Sequence, residues 1–144
     1  MSKTILIVII LVALIGFADT SYLSAKQYVF GQSVPCAVIG GCEQVLTSSY
    51  AKIGPIPLAF FGLAFYLAIL FLAVLYWEGQ YPWIVRMIRV LTILGFAASL
   101  VLLGIQAFIL NAYCTYCLIS AGTSTALFLL AHNHRFRRIP SQKS

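Results

Sequence analysis

The chain has 144 residues, 62% of them hydrophobic and only 8% charged, with a mean hydropathy of +1.00 and a net charge of +6. This composition excludes an ordinary soluble domain, and the length allows one domain, 1–144. A nucleic-acid partner is also excluded, because the basic residues form no extended patch interleaved with aromatics; the tail His-Arg-Phe-Arg-Arg reads as an anchor near anionic headgroups.

A bilayer crossing needs about 20 predominantly apolar residues. The first span is expected over 5–25, interrupted only by Asp19. Lys3 and the apolar residues after it also fit a signal peptide. However, no good A-x-A cleavage site follows and apolar character resumes at Tyr22 and Leu23, so the span is read as uncleaved. The loop that follows carries Gly31, Pro35, Gly40 and Gly41 around Cys36 and Cys42, where the backbone can bend sharply. The stretch Glu43 to Tyr50, free of Gly and Pro, is a candidate short interfacial helix. Gly54-Pro-Ile-Pro57 breaks the chain before the second span, expected over 53–77.

Val90 to Ala131 contains no Asp, Glu, Lys or Arg. As one helix it would reach about 63 Å, roughly twice a hydrocarbon core of about 30 Å. It must therefore fold back, and the polar stretch Asn111 to Cys117 is the natural turn, giving spans over 88–110 and 114–132. Gly95 with Ser99, and Ser120 with Ser124, are small residues at the spacing that lets membrane helices approach closely. Tyr76, Trp77, Tyr81 and Trp83 form one interfacial belt, and Tyr113 and Tyr116 lie at the opposite face. The expected fold is all-α: an integral-membrane four-helix bundle with a cysteine-containing outer loop between helices 1 and 2.

With four spans, seven of the nine basic residues share one side: Lys3, Arg86, Arg89, Arg135, Arg137, Arg138 and Lys143. Lys26 and Lys52 are on the other. The positive-inside rule then places both termini in the cytoplasm of a cell (inner) membrane. All four cysteines face outward, where disulfides form and persist.

Those cysteines form two pairs, Cys36-x5-Cys42 and Cys114-Thr-Tyr-Cys117. A core this rich in Leu, Ile, Phe and Val does not need thiols to fill it. A Cys-x-x-Cys pair either cycles between dithiol and disulfide or joins a second pair around a metal. Zinc would need four converging thiolates, and the wide separation and oxidising face count against it; no metal site is expected. At the start of span four, i, i+3 spacing puts both sulfurs on one helix face, where terminal amides favour the thiolate. Cys117 lies about 4.5 Å deeper, toward reagents dissolved in the membrane, and Cys114 faces water and the loop. The Cys36/Cys42 pair is either a static brace or a mobile shuttle that hands electrons on by disulfide exchange. A Cys-x-x-Cys on the same membrane face favours the shuttle.

The chain resembles bacterial, stand-alone members of the vitamin K epoxide reductase family. The likeness rests on Gly16-Phe-Ala-Asp-Thr-Ser-Tyr-Leu23, on Cys36 and Cys42 with the following Glu-Gln-Val-Leu-Thr-Ser-Ser-Tyr50, on Gly54-Pro-Ile-Pro-Leu-Ala-Phe-Phe-Gly-Leu-Ala-Phe-Tyr66, and on Cys114-Thr-Tyr-Cys117-Leu-Ile-Ser. The DsbB-type oxidases carry the same two kinds of pair in the reverse order. The resemblance implies a four-helix bundle around a quinone, ubiquinone or menaquinone, in a thiol-disulfide oxidoreductase that supports disulfide formation. Cys117 is then implied to react with quinone, Cys42 to exchange with Cys114, and Cys36 to meet a separate thioredoxin-fold (DsbA-like) partner on the outer face. Ser48, Phe61 and Phe65 match pocket residues. Animal members carry asparagine where Leu58 stands and tyrosine where Ala121 stands, both associated with the vitamin K ring, so the resemblance leaves epoxide reduction open. Asp19, an ionisable residue within a span, is a candidate holder of the proton that quinone reduction consumes; alternatively it reaches headgroups or a neighbouring helix. Gln106 is read as interhelical glue. The non-enzymatic alternative is a small membrane scaffold with structural disulfides.

Overall fold

The structure is a computed structural model that describes residues 3–29 and 40–133. Cys36 and the basic tail residues Arg135, Arg137, Arg138 and Lys143 lie outside the described residues. Five α-helices are present: α1 (Lys3–Ser24), the short α2 (Cys42–Thr47), α3 (Leu58–Gly79), α4 (Pro82–Gly104) and α5 (Thr115–His132). π-helical turns extend α1 through Ala25–Val29 and α4 through Ile105–Leu110. With these extensions, four helices are long and apolar enough to cross a membrane, and the chain is a multi-pass membrane protein. Helices are the economical solution there, since each backbone amide is satisfied within its own segment.

The long helices close into a ring in which α1 packs on α3 and α5, and α4 packs on α5 and α3. At one end Leu6, Ile9, Ile84, Ile88, Leu127 and Ala131 form the core. At the other end Leu23, Cys42, Val45, Leu46, Ala112 and Cys114 form a second cluster under α2. The outside remains apolar, with Phe108 86% exposed, as a surface facing lipid requires. Arg89 Nε donates to the Ala131 carbonyl at 3.2 Å, capping the last turn of α5. That bond puts Arg86 and Arg89, in the first turns of α4, at the end opposite the cysteines.

Two helix starts differ from expectation, both because of proline. The third helix of the chain begins at Leu58 rather than at 53. Gly54, at φ +64°, turns a two-stranded ribbon, β1 (Lys52–Ile53) against β2 (Ile56–Pro57), and Pro57 then precedes the first helical turn. α4 begins at Pro82 rather than 88, because proline's fixed φ suits a first helical position and the α3–α4 connection needs only Gln80 and Tyr81. Gln80 takes the left-handed conformation (φ +47°), and its N–H caps Tyr76.

The small residues do more than let helices approach. Gly16 lies under the ring of Tyr66, where an added Cβ would come within 2.3 Å of it, and Gly95 likewise makes room for Phe65 at 2.5 Å. Ser120 and Ser124, expected as packing residues, bring their hydroxyls to the Tyr66 hydroxyl, 3.2 Å from each.

Candidate active site

The turn before α5 sets the site. Asn111, left-handed at φ +48°, ends the π-helical stretch. The Ala112 N–H then donates to the Gln106 carbonyl at 3.2 Å. Cys114 takes the N-cap position in extended conformation, with Leu118 N–H closing the first turn onto its carbonyl at 3.0 Å. Its own N–H donates to the side-chain Oε1 of Gln106 at 3.1 Å. Cys117 follows three residues later, on the face of α5 turned to the bundle interior.

Both are free thiols joined by a side-chain hydrogen bond. That bond, with support from the backbone N–H groups of Tyr116 and Cys117, outweighs burial and brings the Cys114 pKa down to about 7. Asp19 is near enough for its charge to act weakly in the opposite direction.

Cys114 is completely buried rather than facing water, which corrects the expectation from spacing. The cause is α2, which lies over it as a roof. Gly41 precedes α2 so close to the α4–α5 turn that an added Cβ would sit 2.8 Å from the Tyr113 carbonyl oxygen. Gln44 Nε2 donates to the Leu110 carbonyl at 3.3 Å, and Gln27 Nε2 to the Leu46 carbonyl at 2.8 Å. Cys42, expected in an open mobile loop, is instead the first residue of α2, 1% exposed and disulfide-bonded. It shares one apolar cluster with Cys114, against which Cys117 also packs.

On the other side of Cys117 is a cavity of about 480 Å³, framed by α1, α3, α4 and α5 and roofed by α2 and the turn after it. Such a volume is in the range of small-molecule sites. Ser48, Phe61, Phe65 and Cys117 line it, as do Leu58 and Ala121. Asp19 is not among the lining residues. Its Oδ2 is buried with no hydrogen-bond partner among the described residues. The structure thus places Cys42, Cys114 and Cys117 together, puts Ser48, Phe61 and Phe65 around the cavity, and sets Asp19 beside the thiols but off the cavity wall. Cys36 lies outside the described residues.

Two lining residues carry more than the sequence reading assigned them. Tyr66 is fully buried; its hydroxyl donates to the Ser120 carbonyl at 2.9 Å and lies 2.6 Å from the Thr123 hydroxyl. Gln106, read as interhelical glue, instead buttresses the turn that carries Cys114. A buried amide eight residues before the first cysteine of the motif was the available signal.

Known proteins can be set beside this geometry. The sequence profile of the Vitamin K epoxide reductase family matches residues 7–132. The thiol-disulfide oxidoreductase LTO1 of Arabidopsis thaliana is 30% identical over 121 residues, covering 78% of this chain and 32% of the plant protein. The chain therefore spans about a third of the length of that relative. With the match running over residues 7–132, from α1 to the end of α5 and across all four cysteine positions, the chain belongs to the vitamin K epoxide reductase family.

Proposed function

We propose that this protein is a membrane thiol-disulfide oxidoreductase that passes electrons from a thioredoxin-fold partner through Cys36/Cys42 and Cys114/Cys117 to a membrane quinone. The observation that carries the reading is the division at the first turn of α5: Cys117 lines an apolar cavity at membrane depth, and Cys114 packs against the disulfide-bonded Cys42. Free thiols beside a disulfide are suited to exchange, and this weighs against a scaffold whose cysteines only brace loops.

The cavity fits the acceptor in size and in its apolar lining by Leu58, Phe61, Phe65 and Ala121. A quinone bound there supplies a two-electron, two-proton acceptor. The chain's own residues do the rest. Partner thiols reduce the loop pair at Cys36. Cys42 then attacks Cys114 in the Cys114–Cys117 disulfide, closing a transient Cys42–Cys114 bond and releasing Cys117 as thiolate. Cys36 resolves that bond, so the loop disulfide is restored and the inner pair holds two electrons. Oxidation of the inner pair to its disulfide releases two electrons and two protons and resets the cycle. Cys114, with its pKa near 7, is a good leaving thiolate when Cys36 resolves the Cys42–Cys114 bond. The α2 roof holds Cys42 and Cys114 in one dry cluster, so exchange occurs without competing external thiols.

Arg86 and Arg89 at the end opposite the thiols support cytoplasmic termini and an outward-facing redox site in the cell membrane of a bacterium. The test is reconstitution in liposomes with a reduced thioredoxin-fold protein and added quinone. Quinone-dependent oxidation of the partner is expected, and Cys117→Ser is expected to abolish it. Absence of quinone-dependent turnover by the wild type would overturn the proposal.

A further inference from the structure

The hydroxyl donors that line the cavity are almost entirely committed to the protein itself. The Thr20 hydroxyl donates to the Gly16 carbonyl at 2.9 Å, Ser48 to the Val45 carbonyl at 2.7 Å, and Ser99 to the Gly95 carbonyl at 2.9 Å. Tyr66 is held by Ser120 and Thr123. Leu58 and Ala121 offer no polar group. Gln27 retains one N–H and Tyr50 its hydroxyl, but both lie toward the outer rim: Gln27 is on the extension of α1, bonded to α2, and Tyr50 is 49% exposed.

Gln106 is different. It is 3% exposed and lines the cavity together with Cys117. Its orientation is determined, because the Cys114 N–H can only face an acceptor, which must be Oε1. The amide nitrogen is therefore turned away from the cysteine turn, and it has no hydrogen-bond partner among the described residues. It is not closed off either: the sole fully buried side-chain atom without a partner among those residues is Asp19 Oδ2. Nε2 thus keeps accessible surface, and the cavity is the space that Gln106 lines.

A primary amide with two unused N–H groups in an apolar cavity is costly to leave unpaired and rewards a ligand that supplies an acceptor. We propose that Gln106 is the residue that reads the acceptor's redox state: its Nε2 donates to a quinone carbonyl, with the carboxamide held in that sense by the bond from Cys114 N–H to Oε1. A quinone carbonyl oxygen is a stronger acceptor for this N–H than the phenolic oxygen of a hydroquinone. The site therefore favours the oxidised ring beside Cys117 over the reduced one. This inference rests on the quinone reading above.

The test uses the full chain in lipid nanodiscs, with both cysteine pairs oxidised so that no turnover occurs, titrated with 2-methyl-1,4-naphthoquinone and with its hydroquinone, against empty nanodiscs. Wild-type protein is expected to prefer the quinone. Gln106→Met, of similar length, loses donor and acceptor. Gln106→Glu at pH 8 keeps an acceptor for Cys114 N–H and loses the donors. Both variants are expected to bind the quinone about tenfold more weakly, the scale of one lost hydrogen bond, and to lose the preference. Binding by Gln106→Glu within twofold of wild type overturns the proposal, whatever Gln106→Met does, because the effect would then come through the cysteine turn. If the wild type itself shows no quinone-dependent turnover, the proposed function fails. Turnover with unaltered variant binding rejects the role of Gln106 alone.

Discussion

Gly16→Ala is the smallest change that tests how the bundle is locked. The new methyl would lie 2.3 Å from both Cε1 and Cζ of Tyr66, where ordinary contact begins near 3.4 Å, so the ring must retreat by about 1 Å. Tyr66 is completely buried, and its hydroxyl is tied to the Ser120 carbonyl at 2.9 Å and the Thr123 hydroxyl at 2.6 Å. Retreat therefore strains the packing and breaks one of those bonds. Overpacking costs about 1–3 kcal/mol and a lost hydrogen bond about 1 kcal/mol, against a gain of up to about 1 kcal/mol from replacing glycine in a helix. The expected net destabilisation is about 1–3 kcal/mol. In a Tyr66→Ala background the clash is gone, so the same substitution is expected to change sign and stabilise by up to about 1 kcal/mol. The assay is unfolding in mixed micelles with increasing dodecyl sulfate, run on all four corners of the double-mutant cycle. Additive effects, with Gly16→Ala costing the same in both backgrounds, would refute the contact between α1 and the ring.

Three further outcomes follow from the site. In the reverse step, where reduced Cys114 attacks the loop disulfide, the rate should fall about tenfold per pH unit below 7, as the thiol protonates, and level off above about 8, rather than rising toward the ordinary thiol value of 9; rapid acid quench from pH 5 to 10 reads this. Gly41→Val forces a side chain to 2.8 Å from the Tyr113 carbonyl and lifts the α2 roof, so exchange between Cys42 and Cys114 should slow at least tenfold while quinone binding to the oxidised protein changes less, a split that rapid chemical quench and titration resolve. Cys36→Ser should stop electron entry from the protein partner yet leave the Cys114/Cys117 pair able to reduce added quinone after chemical reduction; full turnover with the partner would make the loop pair a brace.

The fold was legible because a bilayer leaves so few options. An uncharged run from Val90 to Ala131 is too long for one crossing, and Asn111 to Cys117 is where it bends. Helical spacing separated the two inner thiols along α5, and the structure puts Cys117 on the cavity wall and Cys114 off it. The burial of Cys114 and Cys42 was not legible. It depends on Gly41 meeting the backbone of Tyr113, a contact between segments far apart in sequence that no local pattern encodes. Tyr66 reads like any other aromatic in an apolar span until Ser120, Thr123 and Ser124 of α5 arrive at its hydroxyl. Gln106 was misread for the opposite reason: its partner is not on another helix but eight residues onward, in its own hairpin.

Cys114 and Cys117 are three residues apart, yet they belong to different environments. Cys114 faces the roof and the loop disulfide, with a lowered pKa suited to exchange. Cys117 faces the cavity framed by the four long helices. The first turn of α5 is thus a partition between protein-thiol chemistry on one side and membrane-soluble chemistry on the other. The hydrogen-bonded thiol pair crosses it. Gln106 sits on the same partition, with Oε1 on the Cys114 amide and Nε2 turned toward the cavity side. Any shift of the cysteine turn as the pair closes to a disulfide would therefore be felt by the amide proposed to meet the acceptor. Coupling between the redox state of the pair and occupancy of the cavity needs no moving domain, only the single carboxamide that touches both.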